Sequence, residues 1–136
     1  MKLKKCLGYV EDANAAYNIM KIPKRNRSEA VKVQFSVYMQ QIIELNEREQ
    51  ALSIAMYHRF AWVDDFMTLN PAMNGDIKEI VVSADSVWTP DIVLTNSLSD
   101  GFDAKFRSLV TITHKGEALW LPPAILYSIC EGQFHL

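Results

Sequence analysis

The stretch LSIAMYHRFAW, residues 52–62, decides the fold, because helix and strand arrange it differently. The preceding IIELNEREQA is rich in Glu, Arg, Gln, Leu and Ala, which favour helix on propensity alone. Alternation argues the other way. An extended chain puts Leu52, Ile54, Met56, His58, Phe60 and Trp62 on one face, and Ser53, Ala55, Tyr57 and Arg59 on the other. The same period runs through the segment before it, where Val31, Val33, Phe35, Val37 and Met39 alternate with Lys32, Gln34, Ser36, Tyr38 and Gln40. Two long strands, the first half-buried, are therefore expected, with ELNERE (44–49) as the turn between them.

Outward from this hairpin the strand signals continue. NPAMNG (70–75) is turn chemistry, IKEIVV (77–82), DIVLT (91–95) and FRSLVTIT (106–113) are short strands, and HKG (114–116) turns into EALWL (117–121). A buried-looking strand then runs into Cys130. Before the hairpin, Leu7, Val10, Tyr17 and Met20 share one helical face and Pro23 blocks continuation, which predicts an amphipathic helix over residues 7–21. The polar KIPKRNRSE (21–29) connects it to strands that begin near residue 31. One helix followed by about seven short strands points to an antiparallel β-sandwich.

Composition excludes several classes. With 14 Lys and Arg against 16 Asp and Glu there is no polyelectrolyte footprint for nucleic acid and no basic stripe for a membrane surface. The 136 residues suit one domain, residues 1–136, and no apolar run approaches the roughly 18 residues of a membrane span. Glu11 and Asp12 interrupt the N-terminus before any stretch of signal-peptide length. The two cysteines, Cys6 and Cys130, match no zinc or redox spacing.

Chemistry for an enzyme is missing. His58, His114 and His135 lack metal-ligand spacing, and His58 on an apolar face reads as a hydrogen-bonded core residue, so no metal and no cofactor is expected. Asp64 and Asp65 point to opposite faces of a strand and suit a strand end rather than an acid and base pair. No nucleophile elbow or phosphate-binding glycine loop occurs. What stands out is aromatic residues at strand positions: Tyr57, Trp62, Trp88, Trp120 and Tyr127. Most read as core. Tyr57, on the face opposite Phe60 and Trp62, should lie outside it and be open to a ligand or partner.

At WVDDFMTLNP (62–71) and VWTPDIVLTNS (87–97) the sequence resembles the extracellular ligand-binding domain of Cys-loop receptors, the pentameric neurotransmitter-gated channels, and their nicotinic acetylcholine branch above all. The pieces follow the family order: AAYNIMKIP, VKVQFSVYMQQIIELNEREQALS, Trp62-x-Asp64, Trp88-x-Pro90-Asp91 with Asn96, FDAKF, GEALWLPPAI, then Ser128 before Cys130. The resemblance implies an immunoglobulin-like β-sandwich headed by a helix and incomplete at its C-terminal side. It also implies other receptor subunits as partners in a homo- or hetero-pentamer, and a small cationic, acetylcholine-like neurotransmitter held between neighbours by aromatic rings.

Residue by residue, the resemblance gives Tyr57 the complementary-side aromatic position, usually a Trp, and Leu109, Leu119 and Leu121 the apolar complementary positions. Thr95 stands where the principal side of acetylcholine-binding subunits carries a Tyr. Trp62, Asp64, Trp88, Pro90, Asp91 and Asn96 match structural positions. Cys130 matches the first half of the signature disulfide, whose partner is absent, and Asn26-Arg27-Ser28 is a glycosylation sequon in the connection after the helix. The implied location is the extracellular side of the plasma membrane, in a parent that supplies the pore. Two other readings compete with a receptor-subunit fragment. One is a truncated subunit that regulates assembly by docking on full-length subunits; the other is a soluble module like the acetylcholine-binding proteins.

Overall fold

The computed structural model describes residues 17–92 and 108–129, and among these the regular structure is antiparallel β with two single-turn 3-10 helices, Pro71–Met73 and Ala84–Ser86. Six strands form one sheet: β1 (Gln34–Asn46), β2 (Ala51–Val63), β3 (Glu79–Ser83), β4 (Leu109–Thr113), β5 (Glu117–Trp120) and β6 (Pro123–Ile129). The order is β1-β2-β5-β4-β3, with β6 also on β2. The antiparallel β class read from the sequence is the class observed.

β5 and β6 act as one long strand. Phe60 faces Trp120 in the first pairing and Tyr57 faces Pro123 in the second, so both lie on β2 in a single unbroken register. The interruption between them is chemical. Pro122 and Pro123 have no N–H to give the ladder, but the Pro122 carbonyl still accepts the His58 N–H at 3.1 Å. β2 is thereby paired along nearly its whole length on both edges.

The core lies on one face of this sheet. Phe60 and Trp62 from β2, Ile80 and Val82 from β3, Val110 and Ile112 from β4, and Ala118 and Trp120 from β5 are all buried there. Each set is spaced by two, as a pleated strand requires. Loops cover it: Met67 and Leu69 after β2, Ala84, Val87, Trp88 and Ile92 after β3, and Tyr17, Val31 and Val33 before β1.

Several expectations need adjusting. Residues 7–16 of the expected helix lie outside the described range, and residues 17–21 form a turn in which Asn18 takes the Met20 N–H on its side chain at 2.9 Å. That local bond competes with helical pairing. The first strand starts at Gln34 rather than near residue 31, because Val31 and Val33 leave the ladder to cover the core. It also continues to Asn46, so the turn is residues 47–50, with Gln50 at φ 52°. Of DIVLT, Asp91 and Ile92 are irregular and the rest lies outside the described residues.

β1 is not half-buried as the alternation suggests. Phe35, Val37 and Met39 do lie opposite Phe60, His58 and Met56 on the core side, but they stay 42, 47 and 63 % exposed. β1 is the outermost strand, and the covering loops pack over β2, β5, β4 and β3 instead. Two register shifts, between Met39 and Gln41 and between Ile42 and Glu44, insert Gln40 and Ile43 as extra residues. They keep Ile42 and Leu45 on the face of Met39, opposite Ile54 and Leu52.

The turn between β4 and β5 has a steric requirement. Gly116 sits at φ +84°, and a Cβ there would collide with the Asp64 backbone carbonyl. That close approach is needed because the Gly116 carbonyl accepts the Asp64 N–H at 2.8 Å. Gly116→Ala should therefore lower unfolding stability by about 1–3 kcal/mol, measured by urea titration, whereas Gly75→Ala, with open space around it, should cost less. Equal losses at the two glycines would contradict this assignment.

Candidate functional site

The face of the sheet away from the core carries the residues marked as complementary-side contacts. Tyr57 is on it, with Arg59 and Ala61 following at the two-residue spacing of β2. Leu119 pairs with Ala61 on one side and Thr111 on the other, and Leu121 and Leu109 continue the β5 and β4 rows. Tyr57, Leu109 and Leu121 are exposed and Leu119 is half-buried. The fold thus brings Tyr57, Leu109, Leu119 and Leu121 onto one shallow apolar surface with an aromatic ring at one end. It is a wall and not a closed pocket.

Tyr38 belongs to the same surface and was not among the expected site residues. It sits directly across from Tyr57 in the β1–β2 ladder and is 55 % exposed. The alternation of β1 had already placed it on the polar face. What hid the pairing was the need to know which residue of β2 it would meet, and the register shifts at Gln40 and Ile43 make that impossible to count back from the turn.

Behind this wall the matched structural residues form a buried tie. Asp64, 1 % exposed, accepts the Tyr17 hydroxyl at 2.7 Å and the Phe66 N–H at 2.9 Å. Tyr17 in turn accepts the Trp88 N–H at 2.9 Å. Burial pushes the Asp64 carboxyl above its ordinary value, and the hydrogen bonds from Tyr17 and Phe66 work against that rise. Burial, followed by the bond to Asp64, raises the Tyr17 hydroxyl, which stays protonated as the donor. The tie joins the N-terminal segment, the end of β2 and the loop after β3.

Trp62 meets Trp88 edge to face, with ring centroids 5.9 Å apart at 76°. Its indole N–H is buried and has no hydrogen-bond partner among the described residues. Pro90 is buried beneath the same loop and Asp91 is exposed. These residues position the loop; Tyr17 was read from sequence only as an apolar residue of a helix face. Asn26 lies exposed in a turn where its side chain accepts the Ser28 N–H at 3.0 Å. Thr95, Asn96 and Cys130 lie outside the described residues.

Among the described residues no three His, Cys, Asp or Glu side chains come together as a metal site, and no helix is long and apolar enough to cross a membrane. His58 is buried against the rings of Phe35 and Phe60, with centroids at 5.7 and 6.0 Å.

The chain belongs to the neurotransmitter-gated ion-channel ligand binding domain family, which it matches over residues 8–136. It is similar to the acetylcholine receptor subunit beta-type unc-29 of Caenorhabditis elegans, 38 % identical over 120 residues, covering 88 % of this chain and 24 % of that subunit. It is 35 % identical over 121 residues to the acetylcholine receptor subunit beta-like 1 of Drosophila melanogaster, covering 89 % of this chain and 23 % of the relative. The neuronal acetylcholine receptor subunit beta-2 of Rattus norvegicus is 33 % identical over 115 residues, with 85 and 23 % covered. The chain spans about a quarter of the length of these relatives.

Burial of His58 predicts a pH dependence. Desolvation lowers its pKa in the folded chain below the ordinary 6.5, so between those two values the unfolded state binds more protons. Stability should fall as pH drops through 6.5. Urea melts from about pH 8 to about pH 5 should show this slope, and His58→Phe should flatten it; an unchanged slope in that variant would contradict the assignment.

Proposed function

We propose that this chain is the extracellular neurotransmitter-binding part of a subunit of a pentameric ligand-gated ion channel, contributing mainly the complementary side of an agonist site shared with a neighbouring subunit. The observation that carries this reading is Tyr57: an exposed aromatic in the middle of a long strand, on the opposite face from Phe60 and Trp62. An exposed ring in that position has a physical use. Its negative face attracts a quaternary or protonated ammonium, with greater effect once a neighbour excludes water. Leu109, Leu119 and Leu121 then cover the ligand's apolar part.

In this reading residues 1–136 are part of one ligand-binding domain whose remaining strands, pore and membrane spans belong to the longer subunit. The subunit lies at the plasma membrane with this domain outside. Thr95 stands at the principal-side position and offers no ring, so a neighbour with an intact principal face supplies the rest of the aromatic box. Cys130 pairs with a cysteine further along the subunit, and Asn26, exposed in its turn, carries a glycan.

The test places this chain in the corresponding segment of a beta-type relative, co-expressed with an alpha-type subunit. Tyr57→Ala should raise the acetylcholine concentration for half-maximal current roughly fivefold to thirtyfold, the worth of a 1–2 kcal/mol cation–π contact, and Tyr57→Phe should shift it little. Trp62→Ala should instead reduce the amount of receptor at the surface. An unchanged response for Tyr57→Ala, with normal surface expression, would overturn the complementary-side role.

A further inference from the structure

The near balance of charge over the whole chain conceals a local excess. Residues 21–32 hold five of the 14 Lys and Arg but one of the 16 Asp and Glu. Lys24, Arg25 and Arg27 gather around Asn26, with Lys21 and Lys32 on either side. Lys24 is half-buried and the other four are exposed. A short basic run is a recurrent binding element for nucleic acids and for sulfated polysaccharides such as heparin. Whether it acts as one surface depends on how the fold holds it.

This run is held firmly. The Asn26 carbonyl accepts the Glu29 N–H at 3.1 Å and the Asn26 side chain accepts the Ser28 N–H at 3.0 Å, which puts Arg27 inside a tight turn. Before the turn, Asp65 accepts the Arg25 N–H at 3.1 Å and pairs with Lys24 at 3.7 Å, while the Arg25 guanidinium lies 5.5 Å from the centre of the Phe66 ring. Lys32 returns to the same place. With Lys24, Glu29, Ala30 and Val63 it lines one cavity of about 400 Å³.

The cations are therefore spread over a turn and the rim of a cavity and do not converge on a point. That suits a chain of repeating anionic groups better than a single compact anion. Arg is weakly hydrated and offers a planar edge of two donors, which two oxygens of a sulfate can meet. Ala30 and Val63 add apolar surface for the face of a sugar ring. Two carboxylates oppose this: Asp65 is engaged by Lys24 and by the Arg25 N–H, and Glu29 stands exposed at the rim.

We propose that residues 21–32, with the cavity beside them, form a binding surface for a sulfated polysaccharide of the heparin type. The choice of polysaccharide over nucleic acid rests on the extracellular placement given above. Asn26 lies in the middle of the surface, so a glycan there and the polysaccharide exclude one another. The surface is open on chains whose sequon is unoccupied.

The experiment measures binding of the full chain, made in bacteria and so free of glycan, to immobilised heparin over a range of salt. Arg27→Gln and Lys32→Gln should each weaken binding roughly twofold to fivefold, and each should lower the slope of log affinity against log salt by about 1. Arg27→Lys should stay near the parent, and Glu29→Gln should bind more tightly. Arg48→Gln removes the same charge from the turn at the opposite end of β2 and should change neither affinity nor slope. No binding by the parent, or an effect of Arg48→Gln as large as that of Arg27→Gln, would overturn the proposal. Desulfated heparin and polyglutamate should compete poorly; equal competition by either would overturn the assignment to sulfated polysaccharide, polyglutamate by pointing to an acidic protein. In chain secreted from insect cells, molecules whose mass shows a glycan on Asn26 should pass through the heparin column, while Ser28→Ala should be retained. Retention of the glycosylated molecules would contradict the placement around Asn26. No agonist or partner subunit takes part, so failure here leaves the reading of Tyr57 standing.

Discussion

Everything in this chain depends on the register of β2. The strand is paired on one edge with β1 and on the other with β5 and β6, and its two faces are unlike. One carries Met56, His58, Phe60 and Trp62 into the interior, and the other carries Tyr57 and Arg59 outward. A slip of one residue would exchange them, sending Tyr57 into the core and Phe60 into water. The prohibition is strong because Phe60 and Trp62 are large buried groups, and exposing each would cost roughly 1.5–3 kcal/mol. The outward face is held in place by what the inward face cannot give up.

The end of β2 is pinned more tightly than hydrophobic pairing alone would manage. Asp64 is buried as a hydrogen-bonded acceptor for Tyr17 and Phe66, its own N–H goes to Gly116, and Asp65 N–H goes to the Pro23 carbonyl at 3.1 Å. Lys24 pairs with Asp65 at 3.7 Å, and Arg25 lies over the Phe66 ring. These surface contacts are individually weak. Their shared effect is geometric: three segments distant in sequence converge where β2 leaves the sheet, and the loop bearing Trp88 and Pro90 is held against the core by the same tie.

How far the sequence could be read follows from which forces are local. Alternation over Met56 to Trp62 is local and strong, and it places Tyr57 outside the core without any knowledge of partners. The order of Trp62, Asp64, Trp88, Pro90 and Asp91 carries the family. The hydrogen bond between Tyr17 and Asp64 crosses 47 residues and leaves no periodic trace. The extra residues Gln40 and Ile43 resemble any other strand positions, so the pairing of Tyr38 with Tyr57 could not be counted. β1 shows the complementary failure: the side on which Phe35, Val37 and Met39 fall was legible, but burial depends on what covers that side, and no covering element follows from alternation.

The central claim is that β2 divides core from contact surface at alternate residues from Met56 to Trp62, and thiol reactivity along that part of the strand tests it most directly. In a chain with Cys6 and Cys130 replaced by Ser, the variants Tyr57→Cys, His58→Cys, Arg59→Cys and Phe60→Cys are treated with a charged methanethiosulfonate reagent. The account predicts fast modification at positions 57 and 59 and slow modification at 58 and 60, with unfolding in urea making all four equal. Uniform rates in the folded chain, or faster reaction at 58 and 60, would contradict it.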